Sequence, residues 1–237
     1  MLFRSNPMTG APYKVFHVDN TATTLPAGAG TWENPYTTLQ QAQNAANMPY
    51  DIVFVHIGQS ATCPYETPVA GYQFQANNQY LVGEGTSLKL CTANCGLTDL
   101  WAFTTSTKYP VITNPVGPAV VLNQAGVTVD HLQITGAQTG IADGASMPPD
   151  GVATVNDVGI TGNGPSQTGV VIANADGGTF NFTNVRLNGL MADGFVVDGQ
   201  NLRNPFVNIS NSSIKNTSGS AVIVNGIAGD EIGRAHV

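Results

Sequence analysis

The chain has 237 residues, of which 42% are hydrophobic and 10% are charged; 8 basic and 15 acidic residues give a formal net charge of −7. The hydrophobic content excludes a disordered chain, and the shortage of lysine and arginine disfavours binding to nucleic acid or to an anionic membrane surface. No apolar run is long enough to span a bilayer, so we expect no direct membrane insertion by this segment.

Both ends of the chain resemble a sequencing adaptor that has been translated. Residues 2–5 and 231–234 can be encoded by strings that are reverse complements of each other once the frame is shifted by one base. We therefore interpret 1–5 and 231–237 as adaptor-derived and 6–230 as a single domain, cut at both ends from a longer reading frame. On this interpretation Met1 is not a natural start, and the lack of a signal peptide says nothing about export.

The first part of the domain predicts a strand, a helix and a second strand. Residues 13–20 alternate apolar and polar side chains, and 51–58 form a short apolar run. The stretch 37–47 between them predicts a helix with Thr37 or Thr38 as its N-cap. One face of this helix is apolar: Leu39, Ala42 and Ala46. We expect the helix to cover the open end of a solenoid.

Residues 86–118 follow no clear pattern and predict a long excursion from the rest of the fold. Cys91 and Cys95 lie in this stretch; they either close a small disulfide loop in an oxidising compartment, leaving Cys63 unpaired, or remain free thiols. Three cysteines with a single suitable spacing are a weak zinc signal, so we expect no zinc site.

One pattern occurs four times in 126–226. The stretches that begin at Val127, Ala153, Phe180 and Val207 align residue by residue, at spacings of 26, 27 and 27. A fixed period of this size indicates a solenoid, in which each repeat buries its apolar face against its neighbours.

Within each repeat, apolar residues occupy every second position, as in a β-strand, until one step of three residues breaks this alternation. Two columns lie two residues apart: Val127/Ala153/Phe180/Val207 and Val129/Val155/Phe182/Ile209. The next pair starts three residues later: Leu132/Val158/Val185/Ser212 and Ile134/Ile160/Leu187/Ile214. The residues between the two pairs are of types that tolerate a bent or left-handed backbone and predict a corner: Asp130-His131, Asn156-Asp157, Thr183-Asn184 and Ser210-Asn211.

A second apolar run follows the corner in most repeats: 120–122, 170–172, 195–197 and 222–224. Two or three short strands per turn predict an all-β fold, a parallel β-helix whose coils stack about 4.8 Å apart. A leucine-rich repeat would need leucine columns, and a β-sandwich would leave the constant spacing unexplained. Residues 142–151 predict a loop that leaves one coil.

Four motifs in 13–85 resemble a known family: HVDNT at 17–21, GTWENPYTTLQQA at 30–42, DIVFVHIG at 51–58 and LVGEG at 81–85. Together they resemble the opening of right-handed parallel β-helix domains of the pectate-lyase-like superfamily. Within it, the likeness is to bacterial surface proteins that carry an inverse-autotransporter-type β-barrel ahead of such a passenger. Within the domain we predict the N-terminal strand, capping helix and first coil at 13–58 and the stacked coils at 80–226. The resemblance implies a right-handed coil and a secreted or outer-membrane-attached location.

That superfamily includes polysaccharide lyases and hydrolases, but the outward columns of the repeat are nearly all neutral: Thr128/Thr154/Asn181/Asn208, Gln133/Gly159/Arg186/Ser213 and Thr135/Thr161/Asn188/Lys215. Glycoside hydrolysis normally needs two carboxylates about 5–10 Å apart. The weak catalytic candidates are Asp130, His131 and Asp157 on adjacent coils, because a histidine beside carboxylates can act as a base. A solvated corner that continues as Asn184 and Asn211 is the favoured interpretation.

Metal and cofactor signals are weak as well. Asp143 and Asp150 lie in one predicted loop and are weak candidates for calcium, but their spacing matches no recognised site and surface turns are favoured. His17 and His56 are expected to pack near the cap rather than bind metal. We predict no resident cofactor.

The sequence therefore favours a non-catalytic, surface-exposed β-helix passenger or stalk, adhesive or carbohydrate-binding, with a polysaccharide or host-surface ligand as its partner. We expect it to be monomeric. The alternative is a fragment of a polysaccharide lyase or glycoside hydrolase.

Overall fold

The computed structural model describes residues 13–22, 30–85, 88–91, 97–101, 108–162, 167–173, 177–199 and 205–225. The proposed adaptor-derived ends, 1–5 and 231–237, lie outside the described residues. Within them, the chain forms one short helix and 21 strands.

Three parallel sheets form the walls of a tube. The first sheet has seven strands: Val15–Val18 (β1), Ile52–Val55 (β2), Tyr80–Gly83 (β5), Val127–Asp130 (β10), Val152–Asn156 (β13), Thr179–Thr183 (β16) and Phe206–Ser210 (β19). The second has six: Tyr65–Glu66 (β3), Val111–Thr113 (β8), Gln133–Thr135 (β11), Gly159–Thr161 (β14), Arg186–Asn188 (β17) and Ser213–Lys215 (β20). The third also has six: Tyr72–Gln73 (β4), Pro118–Leu122 (β9), Thr139–Asp143 (β12), Thr168–Ile172 (β15), Phe195–Asp198 (β18) and Val222–Asn225 (β21).

The chain visits the first, second and third sheets in turn, six times. Coil 1 consists of β2, β3 and β4, and coil 6 of β19, β20 and β21. Each strand pairs in parallel with the strand one coil away, which confirms the predicted all-β parallel β-helix. Strands Leu88–Cys91 (β6) and Leu97–Trp101 (β7) form a separate antiparallel pair inside the predicted excursion, between β5 and β8.

The register confirms the predicted columns. Val129 pairs with Val155, Val155 with Phe182, and Phe182 with Ile209. The first three of these side chains are fully buried, since inward residues of one coil lie on those of the next. The second apolar runs lie in the third sheet on coils 2, 4, 5 and 6, and on coil 3 their place is taken by β12, which pairs with β9 and with β15.

The predicted corner between the first and second sheets is formed by one residue per coil in a left-handed conformation. His131, Asp157, Asn184 and Asn211 have φ values of 56°, 50°, 56° and 49°. Asn, Asp and His adopt this region more readily than other non-glycine residues. The corner explains why strand alternation fails at this step.

The junction between the second and third sheets contains a column of small inward residues. A Cβ on Gly140 would lie 2.6 Å from the carbonyl oxygen of Gly169 on the next coil, and one on Gly169 would lie 2.6 Å from the carbonyl oxygen of Gly194. Such a Cβ would also lie within 3 Å of Ile160 or Leu187 of the second sheet, so the packing here requires glycine.

A helix closes the coil 1 end of the tube. Helix Leu39–Ala45 (α1) is shorter than the predicted 37–47 but starts at the predicted cap, where Thr38 and Gln41 form a reciprocal capping box. Leu39 and Ala42 are fully buried in the core.

Two sequence predictions need correction. The loop predicted at 142–151 begins after Asp143, because Ala142 and Asp143 belong to β12 and pair with Val121 and Leu122 of the preceding coil. Coil 1 is complete, with β3 and β4 in a stretch that the sequence left unassigned; these strands are only two residues long, too short for a visible alternation.

Candidate functional site

The corner column positions a compact polar cluster on coils 3 to 5, formed by Tyr109, His131, Asp157 and Arg186. His131 and Asp157 occupy the same corner position on adjacent coils, and Arg186 begins β17 on the next coil. Tyr109 reaches the cluster where the chain returns from the excursion into β8. We call these four residues the corner cluster.

Asp157 is the centre of the corner cluster. Its Oδ2 lies 2.8 Å from His131 Nδ1, and its Oδ1 accepts a hydrogen bond from an Arg186 guanidinium nitrogen at 2.7 Å. The Tyr109 hydroxyl lies 3.1 Å from both carboxylate oxygens. The Tyr109 ring stacks on His131, with centroids 4.1 Å apart, and the Arg186 guanidinium carbon lies 5.1 Å from the Tyr109 ring centroid.

The electrostatics of the corner cluster favour an ionised Asp157. Burial opposes this ionisation, but hydrogen bonds from Arg186 and His131 outweigh burial and hold the pKa of Asp157 below its usual value. Burial and the nearby Asp157 charge raise the pKa of the Tyr109 hydroxyl. The arrangement therefore fixes a carboxylate between a neutral phenol and a permanent cation.

His131 has one nitrogen without a partner. The residue is 6% exposed, and its Nε2 is buried with no hydrogen-bond partner. Because the two ring nitrogens point apart and Nδ1 faces Asp157 on coil 4, Nε2 faces away from that carboxylate. A buried unpaired nitrogen costs free energy, so its presence calls for an explanation.

The structure joins two of the three catalytic candidates. His131 and Asp157 are in contact, whereas Asp130 faces outward from β10 and accepts a hydrogen bond from the Asn156 side chain at 3.0 Å. The sequence did not identify Tyr109 as a member of the cluster. Arg186 stood out only as the single arginine in the outward columns.

The structure places the two calcium candidates in different surroundings. Asp143 is buried at an inward position of β12, where it accepts a hydrogen bond from the Ala173 amide at 2.8 Å, while Asp150 is exposed. Among the residues that the structure describes, no three His, Cys, Asp or Glu side chains are placed to hold a metal ion. Cys63 is an exposed free thiol, and Cys95 lies outside the described residues.

A second polar cluster lies near the capped end. His17 Nδ1 is 3.1 Å from His56 Nε2, and His56 Nδ1 is 3.5 Å from Glu84. The Trp32 ring packs edge-on against both imidazoles, with centroids 5.3 and 5.1 Å away. Burial first, and then repulsion by His56, lowers the pKa of His17 to about 4.

Beyond the corner cluster, the outward columns of the first sheet carry hydroxyls and amides. Thr128, Thr154, Asn181 and Asn208 stack in register, and the Asn208 amide donates to Asn181 Oδ1 at 2.8 Å. In the neighbouring column, the hydroxyls of Thr183 and Ser210 lie 3.1 Å apart. Apart from Asp130 at the start of the second column, this surface is a regular array of neutral hydrogen-bonding groups.

Comparisons of the chain with protein-family models, curated proteins and solved structures find no match. In the described part of the chain, no helix is both long and apolar enough to cross a membrane.

Proposed function

We propose that the chain is a non-catalytic β-helix, a stiff surface-exposed stalk or passenger whose first-sheet face binds a carbohydrate. The observation that carries this proposal is the in-register stack Thr128, Thr154, Asn181 and Asn208. It repeats neutral donors and acceptors at the coil spacing of about 4.8 Å. Sugar hydroxyls also donate and accept, so an extended glycan can bind along such a face.

The charge of the protein favours a neutral glycan. The chain carries a net charge of −7, and the four residues of the stack are uncharged. An anionic polymer would be repelled by the protein as a whole and would find no cation within this column. We therefore expect neutral polysaccharides to bind in preference to acidic ones.

The state of Asp157 supports a structural role for the corner cluster. A general acid needs a raised pKa, and the pKa of Asp157 is lowered. A general base needs a free lone pair directed at the substrate, whereas both Asp157 oxygens already accept hydrogen bonds. No second carboxylate belongs to the corner cluster. These features suit a structural contact that holds the end of the excursion against coils 3 to 5.

The likeness of the opening motifs to surface-protein passengers of the pectate-lyase-like superfamily supports an extracellular location. We propose on this basis that the β-helix is secreted or displayed on an outer membrane, attached through regions outside this chain. The parallel three-sheet tube is compatible with that superfamily.

The test of glycan binding is a pair of matched double variants. Fluorescently labelled protein is applied to an array of neutral and acidic glycans, and hits are measured by titration calorimetry. Thr154→Ala/Asn181→Ala removes two groups of the first-sheet stack, and Thr139→Ala/Thr168→Ala removes two stacked hydroxyls on the third sheet. We expect roughly 30-fold weaker binding for the first variant, from about 1 kcal/mol for each of two lost hydrogen bonds, and no change for the second. Equal effects in both would contradict the proposed face.

A polysaccharide lyase or hydrolase is the second candidate function, favoured by His131, whose Nδ1 is anchored on Asp157 while Nε2 has no partner. Purified protein is incubated with neutral and acidic polysaccharides, and reducing ends and unsaturated products are measured. Degradation that is lost in both Asp157→Ala and His131→Ala would overturn the non-catalytic proposal. Product formation that both variants retain would point to a contaminant.

A further inference from the structure

The outward face of the first sheet changes from apolar to polar between coils 2 and 3. Ile52, Phe54 and Val82 alternate with residues of the main core and therefore point outward, yet all three are fully buried in a second hydrophobic cluster with Tyr13. From coil 3 onward the same two columns hold half-buried or exposed polar residues. The first column runs Ile52, Tyr80, Thr128, Thr154, Asn181 and Asn208, and the second runs Phe54, Val82, Asp130, Asn156, Thr183 and Ser210.

Tyr80 lies at the boundary between these two halves. Its side chain packs against the second hydrophobic cluster but is only half-buried. Thr128, its register partner on coil 3, is the first residue of the first-sheet stack and lies about 4.8 Å away along the tube. An aromatic ring therefore adjoins the line of hydroxyls and amides. Ligand sites typically combine aromatic side chains with a few polar groups, and a sugar presents both an apolar C–H face and a rim of hydroxyls.

Asp130 is the only acidic residue in the described strands of the first sheet. It follows Thr128 by two residues on β10, so its side chain is on the same face, and it is half-buried. Its Oδ1 accepts a hydrogen bond from the Asn156 side chain at 3.0 Å. A carboxylate has about four lone-pair positions, so Asp130 can accept sugar hydroxyls in addition to the Asn156 amide. Hydrogen bonds to a charged acceptor are roughly twice as strong as those between neutral groups.

Tyr80 and Asp130 lie diagonally across Thr128. One coil spacing along the tube and two residues along a strand place their Cα atoms about 8 Å apart. This separation lets one sugar ring lie with its C–H face on the aromatic ring while its hydroxyls reach the carboxylate. On coil 1 the next residue of the first column, Ile52, is fully buried, so a glycan that follows this column ends at Tyr80.

We infer that Tyr80 and Asp130 form a sugar subsite at the coil 2 end of the glycan-binding face, and that Asp130 selects neutral sugars. The inference rests on the proposed function and adds the residues that set its specificity. The Tyr80 ring stacks on one sugar, and Asp130 accepts hydrogen bonds from neighbouring hydroxyls of that sugar. The rest of the glycan lies along Thr128, Thr154 and Asn181. A sugar that carries its own carboxylate meets Asp130 as a like charge and is rejected.

The first experiment tests the aromatic ring. Binding is measured by titration calorimetry with neutral oligosaccharides of glucose, mannose and xylose that are long enough to span coils 2 to 5. Tyr80→Leu removes the ring but keeps an apolar side chain against the second hydrophobic cluster, and Tyr80→Phe keeps the ring. We expect about fivefold weaker binding for Tyr80→Leu, equivalent to about 1 kcal/mol of ring contact, and less than about twofold change for Tyr80→Phe. No loss for Tyr80→Leu, or an equal loss for both variants, would overturn the inference.

The second experiment tests selection by charge, with an oligomer of galacturonate as the acidic ligand. Asp130→Asn removes the charge but keeps the size of the side chain and an oxygen for the Asn156 amide. The matched control, Glu66→Gln, removes one charge from an exposed position on the second sheet. We expect Asp130→Asn to bind the neutral oligosaccharides about fivefold more weakly and the galacturonate oligomer about fivefold more tightly, and Glu66→Gln to change either affinity by less than about twofold. If both variants change the affinity for galacturonate equally, net charge sets the preference and the inference is wrong.

The outcomes separate this inference from the proposed function. If Thr154→Ala/Asn181→Ala weakens binding of a neutral oligosaccharide but neither Tyr80→Leu nor Asp130→Asn does, the glycan-binding face stands and the subsite is wrong. If the natural chain binds none of the oligosaccharides, both proposals are wrong. Thermal unfolding checks the fold of each variant. Asp130→Asn, which keeps the size of a half-buried side chain, decides the question even if Tyr80→Leu does not fold.

Discussion

The two ends of the tube carry similar side chains in very different surroundings. At the coil 1 end, α1 covers the core and Leu39 is fully buried; at the coil 6 end, Val224 is 42% exposed at an inward position. At the first end the Gln79 side chain donates to the carbonyls of Ala46 and Met48, so the turn after the helix is tied down as well. A solenoid buries an inward residue only if a further layer lies over it.

The largest difference in stability effect between the two ends is expected when one apolar side chain at each end is truncated to alanine. Leu39→Ala should lower the free energy of unfolding by about 2–5 kcal/mol, because it leaves a cavity under a helix that cannot collapse onto the coil. Val224→Ala should lower it by less than about 1 kcal/mol, because that side chain is already partly in water. Urea unfolding followed by circular dichroism measures both. Equal losses at the two ends would show that coil 6 is covered in solution.

The capped end contains a histidine that should make the stability of the fold depend on pH. The pKa of His17 is about 4 in the fold, against an ordinary value of 6.5, so between these values the unfolded chain binds the extra proton and the folded chain does not. Stability is therefore lost as the pH falls from 6.5 towards 4, by up to about 3 kcal/mol at 1.36 kcal/mol per pKa unit. The described part of coil 6 contains no histidine.

Urea titrations across this pH range measure the slope, and Trp32 fluorescence reports locally because its ring touches His17 and His56. His17→Phe should flatten the slope while keeping a ring against Trp32. A slope that survives this substitution would assign the effect to other groups.

Contacts between residues one repeat apart could be predicted from the sequence, whereas contacts outside the repeat could not. Val155 meets Phe182 one period away, so the columns and corners could be predicted from spacing alone. Tyr109 lies at the end of the excursion and meets Asp157 48 residues later, a separation that is no multiple of the repeat period, so nothing periodic relates them. The strands β3 and β4 were missed because two-residue strands carry no alternation. The capping helix was predicted because its cap and apolar face are local.

The corner cluster lies midway between the ends, and a substitution there should lower the free energy of unfolding by an intermediate amount. Asp157→Asn keeps the left-handed corner, as Asn184 and Asn211 show, but removes the charge that Arg186 and His131 contact. We expect the free energy of unfolding to fall by about 1–2 kcal/mol. The effect is limited because the Arg186 side chain is 44% exposed and solvent screens the ion pair. Urea unfolding of Asp157→Asn, Arg186→Gln and the double variant gives the coupling energy, expected to be about 0.5–1 kcal/mol. Additive losses would mean that the ion pair is not formed in solution.

The smallest predicted effect concerns the first turn of the capping helix. Thr38→Ala removes the hydroxyl that accepts the Gln41 N–H at 3.3 Å, and should cost about 1 kcal/mol because α1 has seven residues and depends on its cap. Thr38→Ser should restore most of the loss. At the open end, Thr217→Ala removes an exposed hydroxyl that touches the Gly219 carbonyl at 3.4 Å, and should change stability by less than about 0.5 kcal/mol. If Thr38→Ala has no effect in thermal unfolding, the packing of Leu39 and Ala42, rather than the capping box, holds the helix on the tube.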